Sequence, residues 1–331
     1  MHVSIPTHRL WTVGALAGLC AIAACSSAPP AAHTAAKASS PAPPAAHAAA
    51  KASASAAARV TVTRSAVAAP PQPAPRAVVT RVRTEDGSLV TVAMFRGPVR
   101  YVLHNGSQDP GPAAAGLVRA GPAVTGAERR QLLAAFNGGF KLAAGAGGYL
   151  QEGHVISPLR PGFASLVIDR SGRARIEVWG DGTPAPGEAV YSVRQNLQPL
   201  VLDGKPTAAA YDWGLWGATL SGGAYVARSA LGQDAAGDLI YAASMSAVPA
   251  DLAQVLARSG ARIAMELDIN PAWVQLDAAA RPGGRLHAEV YGQYRSADQY
   301  LAGWSRDFIT VLAPSTGSPA ATPVDLQRLR P

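Results

Sequence analysis

Two short runs, Val78–Arg83 and Leu89–Phe95, carry apolar side chains alternately or in blocks, and Glu85-Asp86-Gly87 separates them. That pattern predicts a β-hairpin, since alternation directs one set of side chains to one face and Asp-Gly supplies the turn. Val99–Leu103 follows Gly97-Pro98 as a further strand, and Phe163–Asp169 and Arg173–Trp179 predict a second hairpin around Arg170-Ser171-Gly172. Val190–Arg194, Pro199–Leu202, Ala224–Ser229 and Leu239–Ala243 extend the series, each bounded by Gly, Asp or Pro. Helical spacing is scarcer. Thr125-Gly126-Ala127-Glu128 has capping-box form and opens a predicted helix to Phe136, with Leu132, Leu133 and Phe136 on one face. Pro249–Ser259 predicts another, with Leu252, Val255 and Leu256 apolar, a proline at its start and Gly260 at its end. The expected fold class is α+β: a single domain over 78–313 with a mixed, strand-rich sheet core flanked by a few helices.

The chain before Val78 reads differently. Arg9, with His2 and His8, makes a polar start, and Leu10–Ala24 is an apolar run of 15 residues. That is short for about 30 Å of hydrocarbon and has the form of an export signal. It ends in Ile22-Ala23-Ala24-Cys25, which resembles a bacterial lipobox. An ordinary secretory signal cleaved near Ala24 also fits, but a cysteine at the cleavage point favours lipidation of Cys25. Diacylation would anchor the protein stably. Residues 1–25 are thus expected to be a lipoprotein signal peptide, and the protein extracytoplasmic and membrane-anchored. Ser26–Pro75 holds 21 Ala, nine Pro and no aromatic residue, with His33 and His47 in near-duplicate Ala-rich segments. Such a stretch cannot offset its chain entropy, so 26–77 is expected to be a disordered tether with a reach of about 40 Å. Residues 314–331 are expected to be a flexible tail.

Charge alters the picture only briefly. The chain of 331 residues carries 29 basic and 21 acidic side chains, but eight of the basic ones and no acidic one lie in 1–84. Residues 85–331 are left with 21 of each, so no clustered cationic surface is implied and nucleic acid is not an expected partner. Cys20 and Cys25 are the two cysteines, which excludes a disulfide framework in the domain.

Candidate chemistry concentrates in a few segments. In Ala261–Asp268, strand alternation puts Ile263, Met265 and Leu267 on one face and Arg262, Ala264, Glu266 and Asp268 on the other. Two carboxylates so spaced, if buried, need a proton, a guanidinium or a cation between them, which serves acid/base or metal chemistry; a polar outer strand face explains the pattern equally well. Asn270-Pro271 ends the strand and sets Asp268 at a mouth. Asn137-Gly138-Gly139-Phe140 lets the backbone approach a ligand, or caps a helix. Arg228, alone among small residues in Ala227–Gly232, suits an oxyanion or a wet strand face. Arg194-Gln195-Asn196 is a similar polar cluster, and Trp213–Gly217 with Ser221 and Gly222 fits a sugar-stacking loop or a core rim. The sequence has no Gly-x-Ser-x-Gly, P-loop, His-Glu-x-x-His or dinucleotide fingerprint.

Taken in order, Asn137–Phe140, Phe163–Asp169, Arg194–Leu197, Leu200–Gly204, Arg228–Gly232 and Met265–Asp268 resemble the phosphodiester glycosidase domain family, over about 85–313. That family removes N-acetylglucosamine from a phosphodiester. Two positions depart from its pattern: Glu266 stands where asparagine is usual, and Ile269-Asn270-Pro271 replaces a glycine run after Asp268. The resemblance implies a hydrolase splitting a sugar 1-phosphodiester at its glycosidic C–O bond, and the leader makes it envelope-anchored, with a cell-wall or extracellular polysaccharide as the expected substrate. Arg228 is expected to hold the phosphate and Asp268, with Glu266, to do acid/base work. Asn137, Gly138, Gly139, Arg194, Asn196 and Asn270 are expected to bind substrate. The partners expected are a glycan or sugar-phosphate polymer and, through Cys25, a membrane. No cofactor or resident metal is expected, although a divalent cation fits the two carboxylates. The alternatives are a non-catalytic glycan-binding lipoprotein and a metal-dependent phosphodiesterase cutting the P–O bond.

Overall fold

The computed structural model describes residues 74–180, 182–188 and 190–314. The expected signal peptide with Cys25, nearly all of the tether, and the tail beyond Pro314 lie outside the described residues. The fold is α+β. Its strands form three sheets instead of one mixed sheet, and every ladder between strands is antiparallel. Short connections between successive strands favour that arrangement, since a parallel pair needs a long crossover.

The first sheet has seven strands in the order Arg76–Arg83, Leu89–Arg96, Leu239–Ala247, Val226–Asp234, Ala261–Glu266, Val201–Leu202 and Lys205–Pro206. The Arg76–Arg83 and Leu89–Arg96 hairpin is the predicted one, closed by Thr84–Ser88. The second sheet orders Leu286–Ala288, Leu276–Ala279, Leu132–Asn137, Phe308–Leu312 and Arg100–His104. The third orders His154–Ser157, Tyr149–Gln151, Ser192–Gln195, Ala164–Ile168 and Ala174–Val178, which includes the second predicted hairpin. One apolar core joins all three: Phe95, Leu231 and Tyr241 from the first, Phe136 and Ile309 from the second, Leu166 and Ile176 from the third. Burying each such side chain contributes about 1.5–3 kcal/mol, so the three sheets hold one another in place.

The predicted helix at 249–259 forms as Pro249–Arg258. Asp251 accepts the Val248 amide at 3.1 Å and so caps the first turn. Leu252, Val255 and Leu256 pack with Val90, Ala230 and Ile240 on the other face of the first sheet. The predicted helix over 125–136 is corrected. It stops at Gln131, and Leu132–Asn137 is a fully buried strand between two others. Over so short a run, Leu132, Leu133 and Phe136 fit a buried strand as well as a helix face, and two neighbouring strands supply ladder partners that a helix would forgo. Thr125 makes no side-chain cap, and Glu128 turns instead to His104 and Thr310, at 2.7 Å from each.

Candidate active site

Strand ends from all three sheets meet at one place. The Asp268 amide donates to Gly138 O at 3.0 Å, the Leu267 amide to Ser229 O at 2.8 Å, and the Gly138 amide to Asp307 O at 3.0 Å. Asn196 Nδ2 donates to Glu266 O at 2.9 Å, tying in the third sheet. These bonds satisfy buried backbone groups where the ladders run out of partners.

Most of the expected substrate-binding residues build this junction and are not exposed in a cleft. Asn137 is buried: its Nδ2 donates to Ser229 Oγ at 2.9 Å, and its Oδ1 accepts from Tyr241 OH at 2.8 Å and the Gln275 amide at 3.2 Å. Arg194 is also buried, with Nε on Asp307 Oδ2 at 2.8 Å, Nη1 on Gln195 O at 2.7 Å and Nη2 on Phe140 O. Asn196 Oδ1 accepts the Phe140 amide at 3.1 Å. These side chains hold the Gly138-Gly139 turn. Both glycines are required by crowding: a Cβ on Gly138 would lie 1.9 Å from Asp307 Oδ2, and one on Gly139 would lie 2.9 Å from the Arg194 guanidinium.

Arg228 is corrected as the anion holder. It and Glu266 are each 0% exposed, and Arg228 Nη1 donates to Glu266 Oε1 at 2.7 Å. The same guanidinium bonds Ala247 O and Trp216 O, both at 3.2 Å. No surface remains for a phosphate, because the strand face that carries Arg228 is covered by the 213–217 turn. Within that turn Trp216 is buried, its Nε1 on Ala209 O at 2.7 Å, while Trp213 is part-exposed. Burial pushes the Glu266 carboxyl up, and the Arg228 guanidinium at 2.7 Å opposes that rise. Glu266 and Asp268 are both buried, and of the proton, guanidinium or cation expected to offset them the fold supplies a separate guanidinium to each.

Asp268 is the acid that reaches a cleft. A hollow of about 210 Å³ is lined by Phe140, Lys141, Leu220, Asp268, Asn270 and Arg306, among others. Asp268 Oδ2 lies 3.3 Å from Arg306 Nη2, and its Oδ1 accepts the Asn270 amide at 2.9 Å. Desolvation lifts the Asp268 carboxyl to about 6, with Arg306 and the Asn270 amide holding it down. Arg306 is fixed from behind: Nη2 donates to Gly139 O at 3.1 Å, and Nε lies 3.4 Å from Asp109 Oδ2, an ionic contact without hydrogen-bond alignment. Lys141 is exposed on the rim and makes no ion pair among the described residues. Asn270 closes a turn through Oδ1 on the Ala272 amide at 2.9 Å. A buried acid poised near neutrality beside two cations can move a proton while an anion is held.

Residues 130–268 match the phosphodiester glycosidase family. The match takes in Asn137, Gly138, Gly139, Arg194, Asn196, Arg228 and Glu266 and ends on Asp268, the acid in the cleft. It supports a hydrolase of the phosphodiester glycosidase kind. No curated protein matches the chain. Among solved structures, the catalytic domain of zebrafish N-acetylglucosamine-1-phosphodiester alpha-N-acetylglucosaminidase, auto-inhibited by its pro-peptide, is similar at 14% identity and a TM-score of 0.47. That likeness covers 75% of this chain and 85% of the zebrafish one. A protein from Synechocystis is similar at 16% identity and a TM-score of 0.44, over 74% of this chain and 64% of its own.

Arg306 and Asp307 lie outside the stretch that matches the phosphodiester glycosidase family, and the sequence pattern did not single them out. The available signal was an adjacent Arg-Asp pair leading directly into the apolar run Phe308–Leu312. Charges at the mouth of a core strand need partners, and here those partners are Asp268, Asp109 and Arg194. Among the described residues no group of three or more His, Cys, Asp or Glu side chains could hold a metal ion.

Proposed function

We propose that this domain hydrolyses a sugar 1-phosphodiester at the glycosidic C–O bond, in the cleft bounded by Asp268, Arg306 and Lys141. The observation that carries this reading is the Asp268 carboxylate 3.3 Å from the Arg306 guanidinium on the cleft wall. Lys141 and Arg306 would hold the anionic phosphodiester, the task first expected of Arg228. Asp268 takes a proton from water as the water oxygen bonds to the anomeric carbon. The sugar–oxygen bond breaks, its electron pair leaves with the phosphate, and the products are a free sugar and a phosphate monoester. A phosphate leaves readily as an anion, so one carboxyl suffices where an alcohol leaving group would need a second acid. Glu266 takes no part in proton transfer; with Arg228 it braces the end of the strand Ala261–Glu266, two residues before Asp268. The anchor implied at Cys25 would present this cleft to wall or extracellular polysaccharide outside the membrane.

The test is turnover of N-acetylglucosamine 1-(methyl phosphate) in ¹⁸O-water. Label in the sugar product is expected; label in the phosphate product would mean P–O cleavage, and activity abolished by a chelator would make the enzyme metal-dependent. A second reading, glycan binding without turnover, draws on Ile269-Asn270-Pro271, where the chain forms a packed turn in place of a glycine run. Saturable binding of the phosphodiester with no product would favour it.

A further inference from the structure

A second hollow, of about 370 Å³, lies beside the Thr84–Ser88 turn and is lined by Asp86, Ser88, Tyr225, Ser244, Ser246 and Tyr291, among others. Its two tyrosines are 52% and 67% exposed, which is unusual for large rings bordering a concavity. Tyr225 is held: its OH donates to Asp86 Oδ2 at 2.6 Å, and Asp86 Oδ1 accepts from Thr84 Oγ1 at 2.6 Å. Tyr291 is placed through its backbone, its amide donating to Thr91 Oγ1 at 3.3 Å. A held ring such as Tyr225 leaves its face open without a large ordering cost on binding. Beside them stand a carboxylate and serine hydroxyls, and no Lys or Arg lines the hollow. Flat apolar faces with hydroxyl and carboxylate acceptors match the C–H faces and hydroxyls of a pyranose, and the absence of cations disfavours a phosphate.

Two chain segments link this hollow to the cleft. Leu220, 78% exposed at the cleft, precedes Tyr225 by five residues, a span of at most about 18 Å. Arg295, four residues after Tyr291, donates from Nε to Ala272 O at 3.2 Å, next to Trp273 of the cleft wall.

We infer that this hollow is a second glycan subsite, taking a sugar ring of the same sugar–phosphate polymer whose phosphodiester enters the cleft, with Tyr225 and Tyr291 as stacking platforms and Asp86 as hydroxyl acceptor. The inference rests on the hydrolase reading for the identity of the polymer. It also separates two affinities, since a monomeric phosphodiester carries one sugar ring, which the cleft takes, and leaves none for the second hollow.

The test uses the full-length protein with poly(N-acetylglucosamine 1-phosphate) in calorimetry and N-acetylglucosamine 1-(methyl phosphate) in turnover. Y225A/Y291A is expected to weaken polymer binding by roughly tenfold or more and to leave monomer kcat/KM unchanged. Y225F, which keeps the ring but loses the bond to Asp86, should fall between wild type and Y225A. An unchanged melting temperature in all three, expected of exposed rings, would exclude misfolding. Polymer bound equally by wild type and Y225A/Y291A, or not bound by wild type, overturns the subsite. Monomer turnover with tyrosine-independent polymer binding sinks the subsite and leaves the hydrolase reading. Tyrosine-dependent binding with neither probe cleaved does the reverse.

Discussion

Asp268 works between two opposing influences, burial that lifts its carboxyl and an Arg306 contact that lowers it, and its value of about 6 is their balance. A general base of that kind gives an activity that falls as pH drops through about 6. Asp268→Asn is expected to lower kcat by about 10²–10⁴-fold and erase the acidic limb of the pH–rate profile. Arg306→Gln removes the lowering influence, so its acidic limb should move to higher pH while KM for the phosphodiester rises. A limb that stays put in Arg306→Gln would mean that the 3.3 Å contact does not set the titration. Arg228 and Glu266 make the opposite kind of pair, closed to solvent and structural. Arg228→Met strands a buried carboxyl and should cost about 3–5 kcal/mol of stability in urea unfolding, and Arg228→Met with Glu266→Met should recover most of that loss. Equal losses in the single and double variants would refute this account. Residue chemistry alone marked Arg228 and Asp268 as candidates, but it could not tell a guanidinium neutralised inside the fold from one facing a ligand.

The Gly138-Gly139 turn shows how much of the site is decided where elements end. A methyl at Gly138 would meet Asp307 Oδ2 at 1.9 Å and Asp307 O at 2.9 Å, so Asp307 must leave Arg194 or the turn must move. Gly138→Ala is therefore expected to lower stability by about 1–3 kcal/mol and to impair turnover, read as a lower melting temperature together with reduced kcat. An alanine variant with wild-type stability and activity would show that the junction yields more easily than its packing implies. Local signals read several elements well: the two hairpins needed only alternation and their turn residues, and Pro249–Arg258 needed only an apolar face with its ends marked. They failed at Leu132–Asn137, whose five leading residues are all apolar and leave no periodicity to distinguish strand from helix. Phe308–Leu312, its neighbour, also went unread, being only five residues long, and with it the Arg306-Asp307 pair at its head.

Across the whole molecule, two buried carboxyls have values raised by desolvation: Asp268 to about 6 and Asp277 to about 7, each from an ordinary value of 3.8. Between the ordinary and raised values, the native state keeps protons that the unfolded chain has lost. Stability should therefore fall as pH rises from about 4 to 7, at about 1.4 kcal/mol per pH unit for each group still protonated in the fold. Urea unfolding at pH 4.5 and pH 7 measures this, and Asp268→Asn with Asp277→Asn should flatten the dependence; stability that climbs over this range would contradict it. At this scale the division between sequence and structure is clear. Alternation, turn residues and helix-end residues, all interactions among near neighbours, determined the α+β class, the hairpins, the long helix and the segments in which chemistry could reside. Which acid faces a cleft, that Arg228 is closed off by Glu266, and that Arg306 comes from the far end of the domain to stand beside Asp268 were decided only by tertiary structure. Burial and ion pairing depend on what three sheets bring within a few ångströms, and no spacing along one strand encodes that.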